Sequence, residues 1–256
     1  MKLLALAFTA VALATPAGYV ESMQRADGGF GDAQLTAWAT LGLAAAGKEN
    51  ARAAEFLARQ DPQATTDVAL VAMARTAAGD RPDALLARLR AHRPGKLVNA
   101  TIWTILALRQ AGEPAPRALV RSLLASQRPN GGWSWHAASA ADANDTAAAI
   151  QALRAAGVRG RPIDRSVAFL RRHQNRDGGF ELTEGRGSDT QSTAWAIQAL
   201  LAAGRAPGAG SFRYLARMRR ADGSYRYNAR YVTTPLWVTA QVLPALARQP
   251  FPLRAR

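Results

Sequence analysis

The acidic residues spaced for shared chemistry are Asp142 and Asp145 in the run DANDTA, and Asp189 opens a similar run, DTQSTA. The three aspartates are catalytic candidates as proton donors, since a carboxyl group can act as a general acid. Separately, two carboxyl groups held about 5 to 10 Å apart can cleave a glycosidic bond. Asp142, Asp189 and the related Asp32 in DAQLTA also precede apolar segments. Residues there are typical helix N-caps, whose carboxylates accept backbone N–H bonds. Capping is the favoured interpretation, and the distances between the acids stay open.

Candidate binding residues lie in three segments rich in aromatic and charged side chains, SWHAASAA, ELTEGRGS and RYNARYVTT. Functional residues collect on loops held by a rigid scaffold, and pockets combine aromatic walls with a few polar groups. The ligand-binding candidates are Trp135, His136, Asp142, Asp145, Glu181, Glu184, Arg186, Tyr225, Tyr227, Arg230 and Tyr231. The simpler alternatives are a loop role for His136 and surface pairing of Glu181 and Glu184 with Arg186, which would contribute little stability.

The scaffold that must carry these loops is marked by a repeated turn. It reads QRADGGF, QRPNGGW and QNRDGGF, with a less regular copy, RRADGSY, near the C-terminus. Asp-Gly-Gly or Asn-Gly-Gly favours a tight turn, Gln can bond the unpaired end of the helix before it, and the aromatic residue anchors the next helix. We therefore predict structural roles for Gln24, Phe30, Gln127, Trp133, Gln174 and Phe180.

A second repeated marker gives the number of units. Apolar segments end in Ala-Gly at positions 46, 78, 111, 156 and 203, as helices do where Gly adopts the left-handed conformation. Each unit pairs an amphipathic helix, such as PIDRSVAFLRRHQ, with one that is apolar nearly all round, such as TAWAIQALLAAG. Six such pairs bury their faces only by curving into a double ring. The prediction is all-α, a single (α/α)6 toroid over residues 15–256.

Tryptophan recurs in the apolar helices in the pattern Thr-x-Trp. Trp38, Trp103 and Trp195 follow Thr36, Thr101 and Thr193, and we place Trp237 in the same register with Pro235 instead of Thr. Equivalent indoles could line a central pocket. Core packing between neighbouring inner helices is the favoured interpretation.

These turns and inner helices resemble the prenyltransferase and squalene-cyclase repeat family. The turns look like that family's QW motif and TAWAIQAL like its inner-helix signature, over nearly the whole chain after residue 14. The resemblance implies a toroid fold. It does not imply one activity, because toroids of this type occur in terpene cyclases, protein prenyltransferases, thioester domains and corrinoid carriers.

Residue by residue, the resemblance does not extend to cyclisation. Class II terpene cyclases of this type protonate their substrate with the middle Asp of D-x-D-D-T-A, and here that position is Asn144, which has no suitable proton. Asp142 and Thr146 recur in the other runs, which leaves Asp145 as the cyclase-like residue. The chain has no cysteine, and its three histidines are scattered, so we expect neither thioester chemistry nor a prenyltransferase-type zinc site, and no cofactor.

Charge and the N-terminus complete the sequence evidence. The formal charge is +15, and only Lys2, Lys48 and Lys96 are lysines among 33 basic residues; the arginines are dispersed, which argues against nucleic acid as partner. An apolar run from Leu3 to Ala14 ends in Ala-Leu-Ala, typical of a secretory signal peptide over residues 1–14 and too short to span a bilayer. An extra buried helix is the alternative.

Together these features predict a secreted, monomeric toroid without a membrane span, which binds an apolar or bulky ligand, isoprenoid-like or corrinoid-like, in its cavity or at its loop-rich rim. Catalysis is not supported by the residues present. Three alternatives stay open: a terpenoid cyclase with a degenerate motif, a protein-interaction module using Tyr225, Tyr227, Arg230 and Tyr231, and a glycosidase-like barrel.

Overall fold

The computed structural model describes residues 14–253, which form twelve α-helices and isolated β-bridges without a longer strand. Residues 1–13 of the predicted leader lie outside this range. The helices are α1 Pro16–Ser22, α2 Ala33–Ala45, α3 Ala51–Ala58, α4 Thr65–Ala77, α5 Asp83–Arg90, α6 Val98–Gln110, α7 Arg117–Ala125, α8 Ala143–Ala155, α9 Arg161–Arg172, α10 Thr190–Ala202, α11 Ala209–Met218 and α12 Pro235–Leu246.

The even-numbered helices form a closed inner ring. Each packs against the next even-numbered helix, and α12 packs against α2 to complete the circle. The odd-numbered helices lie outside, each packed against one or two inner helices. The predicted (α/α)6 toroid is therefore confirmed, with one outer and one inner helix in every unit.

Side-chain polarity explains which helix goes to which layer. In α10 nearly every residue from Thr190 to Leu200 is buried, because inner and outer neighbours enclose the helix on all sides. In α9 the buried residues are Ile163, Ser166, Phe169 and Leu170, while the arginines around them face solvent. The amphipathic helix can lie in the outer layer because only one stripe of apolar side chains must be buried against its neighbours.

The repeated turn is held by the hydrogen bonds that its sequence allows. In the fourth unit the Gln127 amide donates to the Gly131 carbonyl and to Ser166 Oγ, at 3.0 and 2.9 Å. The Trp133 N–H donates to Thr146 Oγ1 at 2.9 Å, and the indole is fully buried. Gln24, Phe30, Gln174 and Phe180 make the corresponding bonds in their own units. All six residues thus form part of the scaffold in this structure.

A second repeated contact, not identified from the sequence, joins three of the turns to the next outer helix: an aromatic ring with an arginine over it. The ring of Phe169 lies against Gly132, where an added Cβ would come within 2.8 Å of it, and Arg172 lies over that ring and donates to the Asn130 carbonyl at 2.7 Å. Phe56 with Arg59 and Tyr214 with Arg217 repeat the arrangement. Three of the arginines thus contribute to the scaffold through cation–π contacts and hydrogen bonds to turn carbonyls.

The ring closes between the first and last units. Thr15 caps α1 by accepting from the Gly18 N–H at 3.0 Å, and Arg219 donates to the Ala14 carbonyl at 2.7 Å. Gly223 lies so near the Thr15 carbonyl that a Cβ would approach it to 2.6 Å. The short α1 therefore lies wholly after the predicted cleavage point and still completes the outer layer.

Candidate functional site

Three loops cover one end of the ring, and each accepts a backbone hydrogen bond from the inner helix that precedes it in the chain. Carbonyls of Trp135, Leu182 and Tyr227 accept from the first-turn amides of α6, α8 and α10, at 3.2, 2.9 and 2.7 Å. We call these loops, residues 133–142, 180–189 and 225–234, the rim. They form a continuous border over the N-terminal ends of four inner helices, α6 to α12.

The rim presents apolar side chains to solvent. Trp135 is 50% exposed and Tyr231 57% exposed, and Leu97, at the start of α6, is 49% exposed. Leu97 pairs with His136 through an isolated β-bridge, which places it beside Trp135. An exposed indole and an exposed leucine at one point provide a surface that a flat apolar group can cover.

Other predicted rim residues have different surroundings. Tyr225 is only 2% exposed, and its N–H donates to Thr239 Oγ1 at 2.9 Å. It is the sixth unit's counterpart of Phe180 and belongs to the scaffold, so its assignment to a ligand surface is wrong. Glu181 is also buried, and its Oε2 accepts from the Gly187 N–H at 2.8 Å. That bond holds the loop in place of the surface pairing considered from the sequence.

The remaining polar candidates divide into exposed and structural groups. His136 is partly exposed, and its Nδ1 accepts from the Ala138 N–H at 3.1 Å, a loop-stabilising role. Tyr227 is partly buried beside Asp189, and burial is the main reason that its pKa is raised. Glu184, Arg186 and Arg230 are exposed.

The three repeated aspartates are N-caps, as the sequence indicated. Carboxylate oxygens of Asp32, Asp142 and Asp189 accept from the backbone N–H three residues later, at 2.7, 2.9 and 2.7 Å. Asp189 also accepts from Ser192 Oγ at 2.8 Å. Burial raises the pKa of Asp189 although its bonds to Ser192 act to lower it. The three side chains are engaged with the first turns of α2, α8 and α10.

Asp145 differs from these caps because no backbone amide bonds its carboxyl group in the described chain. Burial, followed by the charge of Asp142 and a hydrogen bond to it, raises the pKa of Asp145 to about 9. The side chain is therefore protonated and neutral at pH 7, and it is a weak acid. Next to it, Oδ1 of Asn144 is buried without a hydrogen-bond partner among the described residues.

Tryptophans fill the middle of the ring. The ring centroids of Trp38 lie 5.5 Å from Trp103, 5.7 Å from Trp195 and 6.1 Å from Trp237, and the first two contacts are edge-to-face. Trp38 and Trp195 are 5% and 4% exposed. Edge-to-face packing at these distances is favourable for aromatic rings. Of the two interpretations left open by the sequence, core packing is the one that this structure adopts.

The predicted register of Trp237 is wrong by one helical turn. In the first, fifth and sixth units one Thr hydroxyl accepts from the backbone N–H of the turn's aromatic residue. These are Thr36, Thr193 and Thr239, so Thr239 is the counterpart of the other two. The equivalent of Trp195 in α12 is consequently Gln241, and Trp237 enters the cluster from one turn nearer the rim. Gln241 accepts from Nε1 of Trp195 at 2.9 Å.

A segment after α12, residues 249–253, enters the other end of the ring; we call it the 249–253 segment. Phe251 lies 6.3 Å from Trp38 and 6.0 Å from Trp195 between ring centroids. Its N–H donates to Gln151 Oε1 at 2.7 Å, and the Leu253 N–H donates to Gln110 Oε1 at 2.6 Å. Sequence reasoning missed this element, because no repeat or helical period marks it.

Four cavities lie outside the aromatic centre. One of about 340 Å³ lies at the C-terminal ends of α2 and α4 beside Leu253, and another of about 340 Å³ lies beside Gln151 and residues 248–252. A third, of about 540 Å³, lies between α7 and the end of α8, and a fourth, of about 460 Å³, lies between residues 128–130 and residues 138–141 of the rim. Neither Trp38 nor Asp145 lines any of these four.

Within residues 14–253 no group of three or more His, Asp and Glu side chains is arranged to hold a metal ion. None of the twelve described helices has the length and apolar character required to cross a bilayer.

Residues 95–230 match the sequence profile of the Prenyltransferase alpha-alpha toroid domain, which covers most of the rim and helices α6 to α11. The chain belongs to this family. Among solved structures, the toroid is similar to the type II terpene cyclase MstE from Scytonema in its apo form, with 17% identity, a TM-score of 0.69, and coverage of 91% of this chain and 95% of that one. At this identity the similarity concerns the fold.

The toroid is also similar to an ent-copalyl diphosphate synthase from Streptomyces platensis, with 21% identity, a TM-score of 0.60 and coverage of 84% of this chain. It spans only 50% of that enzyme's chain. Candida albicans protein geranylgeranyltransferase-I has the same ring over 60% of this chain and 50% of its own, with 17% identity and a TM-score of 0.50. No curated protein sequence matches the chain significantly.

Proposed function

We propose that this toroid is a non-catalytic binding protein for an apolar, isoprenoid-like ligand, which it holds at the rim. The observation that carries the proposal is the exposed pair Leu97 and Trp135 on a rigid ring whose centre is filled. A ligand in water gains by covering such a surface, at about 25 cal/mol per Å² of apolar area removed from solvent.

The acid chemistry at this end of the ring favours binding over catalysis. Protonation of an alkene or epoxide needs a strong carboxylic acid, whereas burial and Asp142 raise the pKa of Asp145 to about 9. Asn144 stands where the resemblance would place the acid, and it has no acidic proton. A cyclase function would need another proton donor.

The ligands of similar structures support an isoprenoid-like ligand class. An MstE variant has been solved with geranylgeranyl dihydroxybenzoate as substrate, and the Candida enzyme is a complex with GGPP. We propose that the present chain binds a ligand of this class without carrying out the reactions of those enzymes. A corrinoid-like ligand is the bulkier alternative, so an unbiased mass measurement is the first experiment.

Native mass spectrometry of the protein expressed with its own N-terminal segment tests both ligand and export. We expect a dissociable mass in the isoprenoid range and a chain that starts at Thr15 in the extracellular fraction. A chain that retains residues 1–14 and is found only in cells would overturn export. An extracellular chain with no adduct, and with no binding of added farnesol, would overturn the ligand proposal.

Matched variants locate the binding surface. Leu97→Ala and Trp135→Ala should each weaken farnesol binding by at least tenfold, because they remove the exposed apolar contact. Leu246→Ala is the control, since Leu246 is 38% exposed but lies at the opposite end of its inner helix. Equal affinities for Leu97→Ala and Leu246→Ala would contradict binding at the rim.

The alternative is an isoprenoid cyclase that uses Asp145 in place of the missing acid. Its support is the buried, protonated state of that carboxyl group. Incubation of the Asp142→Asn and Asp145→Asn variants with polyprenyl substrates separates the two functions. Cyclised product from the wild-type protein that both variants lose would favour the enzyme, whereas intact binding with no product from any of the three favours the binding protein.

A further inference from the structure

The 249–253 segment is held in the ring as a bound peptide would be. Besides the two bonds from Phe251 and Leu253, the side-chain amide of Gln110 donates back to the Leu253 carbonyl at 3.2 Å. Gln110 and Gln151 belong to different inner helices, and the side-chain oxygen of each accepts from a backbone N–H of this one segment. Phe251 is 2% exposed and Leu253 7% exposed.

The cleft around the segment has the chemistry of a recognition site. Gln151 is fully buried, and its carbonyl oxygen accepts from the Phe251 N–H, so without the segment that acceptor would lose its partner. The rings of Trp38 and Trp195 form a floor against which one aromatic side chain packs. The cavities of about 340 Å³ on either side are both lined by residues of the segment. Its departure would join them to the vacated cleft.

One residue, Arg248, joins the segment to the end of α12. Arg248 has a φ of 54°, a left-handed conformation that is uncommon for a residue other than glycine. Its guanidinium lies 4.8 Å from the ring centroid of Phe212, and the Gln249 N–H donates to the Pro244 carbonyl at 2.9 Å. The chain therefore turns at Arg248, and the residues after Gln249 are the part that would leave the ring when another peptide enters.

We propose that this cleft is a peptide-binding site for an extended segment with an aromatic side chain between hydrogen-bonding backbone amides, and that residues 249–253 are its resident intramolecular competitor. The site lies at the opposite end of the ring from the rim and is independent of the ligand proposed there. A peptide from another chain enters when the resident segment leaves. The observed dissociation constant therefore equals the intrinsic dissociation constant divided by the fraction of molecules whose cleft is open.

The test uses a fluorescein-labelled pentapeptide, Gln-Pro-Phe-Pro-Leu, and the full-length protein. In Phe251→Ala the resident segment loses its ring while the cleft keeps both glutamines, so the peptide should bind at least tenfold more tightly than to wild type. Phe56→Ala removes an equal side chain from an outer helix, away from the cleft, and should leave peptide affinity at the wild-type value. The same peptide with Ala in place of Phe should bind at least tenfold more weakly to Phe251→Ala.

A second variant keeps the proposal testable if Phe251→Ala does not fold. Leu253→Ala removes most of another side chain of the resident segment and leaves Gln110 and Gln151 in place, so the peptide should bind at least tenfold more tightly than to wild type. A peptide affinity equal to that of the wild-type protein in both variants overturns the proposal. Leu97→Ala should not change this binding, which separates it from the rim site.

Discussion

The indole N–H of Trp195 donates to Oε1 of Gln241 at 2.9 Å and thereby joins α10 to α12 in the centre of the ring. Gln191 donates to the same oxygen at 2.9 Å, and Gln241 is only 2% exposed. Two donors, of which the Trp195 indole is buried, thus depend on one side chain. The filled centre is specific in its polar contacts as well as in its aromatic packing.

Gln241→Leu should lower the free energy of unfolding by about 1 to 3 kcal/mol, because the buried indole N–H of Trp195 loses its acceptor. Urea denaturation measures the change. In a Trp195→Phe background, which has no indole N–H, the same substitution should cost less. Equal costs in the two backgrounds would show that the hydrogen bond is not the cause.

Asp145 should make the protein less stable as pH rises. Its pKa is raised from an ordinary value near 4 to about 9 in the folded state, so the folded protein binds this proton more tightly than the unfolded chain. Stability from this group is full below about pH 4 and falls as pH rises towards 9. Asp145→Asn should therefore be more stable than wild type at pH 8 by at least about 1 kcal/mol, with little difference at pH 4.

The control for Asp145 is Asp222, whose pKa is lowered mainly by the Ser224 hydroxyl. A lowered carboxyl pKa contributes stability above the unfolded pKa and loses it as pH falls. Asp222→Asn should therefore be less stable than wild type at pH 8, with the difference shrinking towards acid. Thermal unfolding at pH 4, 6 and 8 gives the two slopes, and slopes of the same sign would contradict this account.

Gly132→Ala should destabilise the fourth unit by about 1 to 3 kcal/mol, because the new Cβ would meet the ring of Phe169 in a packed interface. Gly95→Ala is the matched control, since no atom lies within 4 Å of its added Cβ. That change should stay within about 0.5 kcal/mol of wild type. Denaturant midpoints compare the pair directly, and similar losses at both positions would argue against the ring contact.

Asn144→Asp restores the D-x-D-D-T-A pattern but should not produce cyclisation. The indoles of Trp38, Trp103 and Trp195 pack against one another in the centre of the ring, where a cyclase of this type would have to enclose its substrate. The added carboxyl also lies next to Asp145 and should lower stability at pH 8. Product analysis after incubation with geranylgeranyl diphosphate checks the activity, and any cyclised product would refute the prediction.

Much of the fold was predictable because its signals are local. Asp142 and the amide that it caps are three residues apart, and Gln127 and Gly131 are four apart, so one short motif contains both partners. Helical polarity within one unit decides between inner and outer layers, as α9 and α10 illustrate. Repetition of those units then leaves a closed ring as the arrangement that buries every apolar helix.

The candidate site residues were less predictable, because residue type alone does not show which structural position a residue occupies in its unit. Tyr225 has the composition of a binding residue but the position of a scaffold aromatic, which its bond to Thr239 reveals. Trp38 and Trp195 each lie two residues after a Thr, and Trp237 lies two residues after Pro235. The structural equivalent of that Thr in α12 is Thr239, which only the hydrogen bond from the Tyr225 N–H reveals.

The sequence by itself therefore determined the helical pairs, the turns, the N-caps and the closed ring, because each follows from contacts within a few residues or from their repetition. The tertiary structure decided that the centre is filled and that its filler includes the 249–253 segment. Phe251 and Leu253 bond residues that are 100 and 143 positions away along the chain. Contacts at such separations leave no periodic mark, since they form only after the ring has brought the partners together.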